Sequence, residues 1–248
     1  MKHRKLLIHV IRILIVILLL FLWEFCSRKE IINSFIFSSP SKIFNCLKDM
    51  IYNGNLLHHI YITLKEIIIS FILSIITSFI IAVIFYEFKI LFDIFEPLLT
   101  IINSTPKVAI GPLIIILFGA GIKSIIIMSL SITLILNILS IYNAFTNTNK
   151  NLERYLNSLN ADKISKYKYL IIPSGLSVII SSLKINISMT LIGVIMGEFL
   201  VSKAGLGYLI VYGTQVFNLT LVMSSIIVLI LISYILYICI SFFENKIK

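Results

Sequence analysis

The sequence predicts an all-α polytopic membrane protein with six transmembrane helices and a helix–turn–helix on its cytoplasmic side. One observation is composition: 59% of the 248 residues are hydrophobic and 13% are charged, at a mean hydropathy of +1.06. Soluble domains carry about 25% charged residues. The other observation is that the apolar residues fall in runs near 20 residues, the length of a helix that crosses about 30 Å of hydrocarbon. Lipid is therefore the solvent that this chain requires.

Six runs of that length define the predicted spans of one transmembrane domain over residues 1–248. Stretches such as "IIISFILSIITSFIIAVIF" do not alternate in polarity, which argues against an outer-membrane barrel. The first run follows "MKHRK" but ends in "WEFCSRKE" without a small-residue cleavage site, so we interpret it as a retained span and not as a signal peptide. The predicted spans are residues 6–25, 60–86, 98–118, 122–145, 178–201 and 219–243.

Proline and glycine mark the segments that should depart from straight helices. Ser39-Pro40 predicts the start of a short amphipathic helix after the first span, because proline is favoured in the first helical turn. Pro106 and Gly111-Pro112 predict a kink or a local unwinding of the third span. The glycines of "SKAGLGYLIVYG" predict a turn and then a re-entrant or interfacial helix before the sixth span.

The distribution of basic residues predicts the orientation. If the N-terminus is cytoplasmic, twelve Lys and Arg residues lie in inner segments and six in outer segments, as the positive-inside rule requires. Both termini then lie in the cytoplasm. The net charge of +10 is spread over loop ends without interleaved aromatic residues, a pattern that argues against nucleic acid as a partner.

The longest inner segment, residues 146–173, is polar and basic although it lies between two apolar runs. Asn160 tolerates the left-handed conformation that a sharp break between two helices needs. This predicts a helix–turn–helix whose apolar face suits a groove on a soluble partner. The apolar residues at helical spacing are Leu152, Tyr155, Leu156 and Leu159 before the break, and Ile164, Tyr167, Leu170 and Ile171 after it.

Three charged residues inside apolar runs are candidate pathway residues: Lys107, Lys184 and Glu198. A charge at mid-bilayer costs at least about 2.5–3.5 kcal/mol, so its presence needs a reason. In one interpretation these side chains snorkel or pair between helices. In the other, Lys107 and Lys184 lie along a solute pathway that favours anions.

No pattern in the sequence predicts a catalytic or metal site. The cysteines and histidines lack metal-ligand spacing, and "GAGIKS" lacks the spacing of a phosphate-binding loop. We therefore expect no metal, no cofactor and no enzymatic activity in this chain. A membrane-embedded enzyme would need polar residues that converge at one depth, and the scattered charges offer no such set.

The inner segment resembles the coupling loop of permease subunits from bacterial ATP-binding cassette importers. That signature is Glu-Ala-Ala, three residues, Gly, nine residues, then Ile-x-Leu-Pro, and the spacing is intact here while the identities differ. Further segments from Phe37 to Phe217 resemble the branch that handles nitrate, sulfonates, taurine and some vitamin precursors, among them "EPLLTIINSTPKVAIGPLIIILFGAGIKS" and "GEFLVSKAGLGYLI". The matched coupling positions are Arg154, Tyr155, Leu156, Asn160, Ala161 and Pro173.

The resemblance implies a division of labour among several chains. Two permease copies, expected to form a homodimer in the bacterial inner membrane, would enclose the pathway. Two cytoplasmic ATP-binding subunits would bind the coupling loop. An extracytoplasmic solute-binding protein would deliver the cargo, which is expected to be a small anion, a sulfonate-, nitrate- or taurine-like solute, or a vitamin precursor. The alternative is a polytopic scaffold or assembly factor that uses the same loop for another partner.

Overall fold

The computed structural model describes residues 2–52 and 54–247, except for the side chains of residues 2–6, 8, 9, 13 and 245–247. Within these ranges every regular element is helical, which confirms the all-α prediction. The inner basic residues counted at the two termini, Lys2, Arg4, Lys5, Lys246 and Lys248, fall outside the described side chains.

The described helices follow one another with short connections. They are α1 (Lys2–Arg28), α2 (Ser34–Phe37), α3 (Pro40–Tyr52), α4 (Leu56–Glu87), α5 (Lys89–Ser104), α6 (Lys107–Phe118), α7 (Ile122–Thr146), α8 (Lys150–Ser158), α9 (Lys163–Lys166), α10 (Ile172–Val201), α11 (Leu206–Gln215) and α12 (Leu219–Ile247), with a π-helical turn at Tyr167–Ile171 between α9 and α10.

The described helices supply five continuous candidate membrane spans, or six when one bent helix pair is counted as a span. Helices α1, α4, α7 and α12 and the continuous stretch Lys163–Val201 are long and apolar enough to cross a bilayer. The pair α5–α6 passes the same test jointly, but it bends by 98° between Ser104 and Lys107. The kink predicted at Pro106 is thus confirmed as a sharp break. A proline after Thr105 favours extended backbone there, and Thr105 has ψ 142°.

The chain divides into two compact units. The first contains α1–α3, the first turns of α4, α11 and the start of α12. In it the Glu24 carboxylate accepts hydrogen bonds from the Ser41 backbone N–H at 3.0 Å and hydroxyl at 2.9 Å, where the start of α3 favours negative charge. The His59 Nδ1 atom accepts from the Gly205 N–H at 3.0 Å and so fixes the turn before α11. Gly205 has φ +117°, which glycine adopts without strain.

The second unit contains most of α4, α5–α10 and the end of α12. Its centre is the pair α7 and α10, whose backbones approach closely at two glycines, Gly193 and Gly197. Hydroxyl and amide groups connect α4 to α7: Ser74 donates to Thr133 at 2.9 Å, and Asn137 donates to Ser74 at 2.8 Å. Such polar contacts and small residues hold helices together where lipid removes the hydrophobic driving force.

The single transmembrane domain over residues 1–248 stays a prediction.

The start of the fifth span differs between the prediction and the structure. The fifth span was predicted from residue 178, but its helix begins at Ile172 and is continuous with the segment before it. Hydropathy marks where lipid contact begins, whereas backbone hydrogen bonds mark where the helix begins.

Candidate functional site

The elbow, defined as residues 150–166, is a helix–turn–helix made by α8 and α9. The Asn149 side chain caps α8 by accepting a hydrogen bond from the Asn151 N–H at 2.9 Å. Asn160 has φ +52°, the left-handed conformation that the sequence predicted. The Ala161 N–H then donates to the Leu156 carbonyl at 3.0 Å and satisfies one of the last free carbonyls of α8. The elbow is therefore a defined turn and not a flexible linker.

The apolar face of α8 is uncovered in this chain. Leu152, Tyr155 and Leu159 are 49%, 62% and 60% exposed, and Leu156 beside them is half-buried. We call these four residues the α8 stripe. Arg154 lies outside the stripe and is exposed. The stripe gives the elbow an apolar surface that this chain does not cover.

The residues after the break do not form one exposed apolar face, and that part of the prediction is wrong. Ile164 is 76% exposed, but Leu170 and Ile171 are buried at 3% and 4%, and Tyr167 is half-buried. The physical reason is the π-helical turn at Tyr167–Ile171, where the Ile172 N–H bonds to the Tyr167 carbonyl. Pro173 follows directly, lacks an N–H and has a ring that crowds the carbonyl four residues back, so a wider turn precedes it. The helix continues through Pro173.

The elbow is connected to the membrane helices through Glu87 at the end of α4. The Lys163 ammonium lies 2.6 Å from one Glu87 oxygen, and the Tyr167 hydroxyl donates to the other at 3.0 Å. The Tyr167 ring also packs edge-on against Tyr86 and Phe145. An exposed ion pair contributes little, about 0–1 kcal/mol, so the aromatic packing is the stronger link. These contacts connect the elbow to α4 and α7.

Asn160→Gly should leave the elbow intact, whereas Asn160→Val should destabilise it by about 1–2 kcal/mol, because a β-branched residue resists positive φ. The measurement is the melting midpoint of the purified protein in detergent. Asn157→Val is the matched control, since Asn157 is exposed within helical α8 and tests the side-chain change alone. Equal midpoints for the two valine variants would contradict a conformational role for Asn160.

Lys107 lies at the break between α5 and α6. Its ammonium donates hydrogen bonds to the backbone carbonyls of Ile102, Asn103 and Thr105 at 2.5, 2.9 and 3.3 Å. These carbonyls belong to the end of α5, where a helix leaves its last acceptors unpaired. The contacts give Lys107 a structural task, and its place along a solute pathway stays a prediction.

Lys184 forms an ion pair between α10 and α12. Its ammonium contacts the Glu244 carboxylate and lies 5.4 Å from the centre of the Tyr237 ring. Ser181 donates to the other Glu244 oxygen at 3.1 Å. The positive charge is therefore matched inside the chain, which agrees with the interhelical-pairing interpretation. A pathway role for Lys184 also stays a prediction.

Glu198 is fully buried, at 1% exposure, between α10 and α4. It accepts a hydrogen bond from the Thr63 hydroxyl at 2.7 Å. Glu66 of α4 is also buried, at 3% exposure. The bond between Thr63 and Glu198 joins α4 to α10.

Three acidic residues that matter here were not predicted as site residues: Glu66, Glu87 and Glu244. Each sits within or at the end of an apolar helix, and a charge in that setting was the available signal. The sequence does not show which basic residue Glu87 and Glu244 each contact. Glu244 lies 60 positions from its partner Lys184, and Glu87 lies 76 positions from its partner Lys163.

Comparison with known proteins agrees with this architecture. Residues 74–248 match the family model described as the binding-protein-dependent transport system inner membrane component. A probable ABC transporter permease protein of Haemophilus influenzae is 28% identical over 94% of this chain and 95% of its own length. The formylaminopyrimidine transport permease protein ThiX of Halalkalibacterium halodurans is 26% identical over 77% of this chain and 76% of its own.

A more distant relative and a solved structure complete the comparison. The putative aliphatic sulfonates transport permease protein SsuC of Bacillus subtilis is 21% identical over 84% of this chain and 75% of its own. A chain of the inward-facing MetNI methionine ABC transporter has the same fold, with a TM-score of 0.68, 15% identity and coverage of 78% of this chain and 96% of its own. The family match covers well over half of the sequence. This chain belongs to the binding-protein-dependent transport family and is a multi-pass permease subunit of an ATP-binding cassette importer.

Proposed function

We propose that this chain forms the solute pathway of an ATP-driven importer and that its elbow docks a separate ATPase subunit. The exposed α8 stripe carries the proposal. It is an apolar helix face that this chain leaves uncovered, on an element connected to α4 and α7 through Glu87 and Tyr167. Helix faces of this kind bind apolar grooves on partner proteins. Displacement of the docked elbow would then shift the membrane helices.

The remaining assembly follows from the family and belongs to the same proposal. Two copies of this chain enclose the pathway, two ATPase subunits bind the elbows, and an extracytoplasmic solute-binding protein delivers the cargo. The chain lies in the bacterial inner membrane with both termini in the cytoplasm, and it hydrolyses no nucleotide itself. Such a machine works only if each nucleotide state binds the two permease conformations with different affinity.

The cargo that we favour is a small vitamin-precursor-like solute and not an anion. An anion pathway along α10 would need an unmatched positive charge there, but the charge of Lys184 is matched by Glu244. Among the relatives, ThiX carries the name of a formylaminopyrimidine permease, and SsuC that of an aliphatic sulfonate permease. The ion pair of Lys184 with Glu244 favours the first of these chemistries.

Replacing Tyr155 and Leu156 together with aspartate should abolish co-purification of the ATPase subunit from cells that express both proteins. Two carboxylates in an apolar groove would lack partners, and leaving a buried charge unpaired costs about 3–5 kcal/mol. The expected loss is at least a hundredfold in bound ATPase.

The matched control is the double variant Asn157→Asp and Ser158→Asp. It adds the same charge to α8 at exposed positions outside the stripe and should retain the ATPase. Unchanged co-purification by the stripe variant would remove the docking proposal and favour the alternative, a membrane scaffold with another partner.

A further inference from the structure

A cavity of about 110 Å³, mainly apolar but with several polar side chains in its lining, lies between the middle parts of α7 and α10. Its polar lining comes from hydroxyl and amide side chains, and its apolar wall includes Met189. The lining residues sit eleven or more positions from the start of α7 and ten or more from the start of α10. The polar lining residues are Thr133, Asn137 and Ser140 of α7 with Ser182 and Asn186 of α10. Transporters commonly hold their solutes at such a midplane depth.

One lining group lacks a hydrogen-bond partner. Asn186 is 2% exposed, and its Oδ1 accepts from the Thr190 hydroxyl at 3.2 Å, but its Nδ2 has no partner among the described residues. A buried amide without partners is costly in a membrane, where water cannot satisfy it. Asn137, by contrast, already donates to Ser74. Asn186 therefore supplies a hydrogen-bond donor that the folded chain does not use.

The lining also limits the chemistry of a ligand. Among the lining residues that the structure describes, none carries a charge, and the nearby Lys184 is paired with Glu244. Sites for drug-sized ligands measure about 300–1,000 Å³, so a cavity of this size accepts no more than a small single ring. An uncharged ring with a hydrogen-bond acceptor matches both the unpaired amide and the apolar wall.

We propose that this cavity is a solute subsite for a small uncharged heterocycle, with the Asn186 amide as its hydrogen-bond donor. The inference rests on the proposed transport function and names the class of solute. Each permease copy contains its own cavity of this kind, because all of the lining residues belong to one chain. The solute is recognised by neutral hydrogen bonds and by the apolar wall at Met189.

The test is equilibrium binding to the full-length permease, purified with its ATPase subunit in lipid nanodiscs. The probes are radiolabelled formylaminopyrimidine, which is uncharged, and taurine as the sulfonate. The wild-type protein should bind the pyrimidine and not taurine. Asn186→Leu keeps the approximate volume but removes the donor, and it should weaken pyrimidine binding about tenfold, the effect of one well-placed hydrogen bond. Ser188→Ala, at an exposed position on the same helix, should bind like the wild type.

A second variant keeps the test decisive if Asn186→Leu does not fold. Ser182→Leu fills the cavity from the preceding turn of α10, leaves the Asn186 amide in the chain, and should also abolish pyrimidine binding. The subsite proposal would be overturned if Ser182→Leu bound the pyrimidine with wild-type affinity. It would also be overturned if the wild type preferred taurine or bound neither probe. Co-purification of the ATPase is recorded on the same samples, so failure of the docking proposal is seen separately from failure of the subsite.

Discussion

Glu244→Ala should destabilise the folded permease strongly, because it leaves the Lys184 ammonium without its counter-charge among apolar helices. Glu244 is buried at 6% exposure and binds both Lys184 and Ser181. The Lys184 side chain is 23% accessible. Removing one member of such a partly buried pair is more damaging than the pair is stabilising, since the remaining charge keeps part of its desolvation cost. The expected result is a fall in melting midpoint of about 5 °C or more in detergent.

The double variant Lys184→Met and Glu244→Leu separates this explanation from a general loss of packing. Apolar residues of similar volume often replace a buried ion pair without loss of stability, so the double variant should recover most of the midpoint. Lys163→Ala is the matched control, because it breaks an exposed lysine–glutamate pair whose lysine side chain is 78% accessible, and it should change the midpoint little. A double variant as unstable as Glu244→Ala would argue against charge as the cause.

Local signals allowed much of the fold to be predicted from sequence. Apolar runs of about 20 residues located the spans because lipid requires each segment to satisfy its own backbone. Pro106 located the break in the third span, and Asn160 located the turn of the elbow, since both residues restrict or permit particular backbone angles. These features depend on a few consecutive residues, and so the sequence shows them directly.

The features that the sequence did not reveal depend on pairs of distant residues. Lys184 is a pathway candidate in the sequence because its partner Glu244 lies 60 positions away and is not visible there. The hydrogen bond from Thr63 to Glu198 joins two helices through residues 135 positions apart. A charged residue in an apolar run indicates that it has an interaction partner. Helix packing determines which residue that partner is, and the sequence does not show it.

The sequence also contains the short pattern Gly193-x-x-x-Gly197. Small residues four positions apart on a membrane helix let a second helix approach closely. In the structure these glycines face Ser129 and Ile125 of α7, so the motif sets the distance between the two central helices of the second unit. The cavity between α7 and α10 depends on the same pairing.

Gly193→Ala should therefore destabilise the permease, although alanine is the better helix former. A Cβ atom at Gly193 would lie 2.5 Å from the Ser129 Cα, a backbone atom that no side-chain rotation can move away. The gain in helix propensity is about 0.5–1 kcal/mol, whereas overpacking costs about 1–3 kcal/mol and more when backbone must shift. The expected net change is a loss of about 1–2 kcal/mol, measured as a lower melting midpoint, and Gly193→Leu should prevent folding.

Gly111→Ala provides the matched control, because its Cβ would meet the Leu200 Cδ1 at the same 2.5 Å. That atom is the end of a flexible side chain, which can rotate, and the next neighbour is the flexible Met128 Cε. The control should therefore keep the wild-type midpoint within about 0.5 kcal/mol. Equal midpoints for Gly111→Ala and Gly193→Ala would mean that α7 and α10 can move apart at little cost. The proposal that glycine sets the distance between these helices would then be wrong. A selective fall for Gly193→Ala would show that backbone contact between these two helices, and not side-chain volume, fixes the central pair.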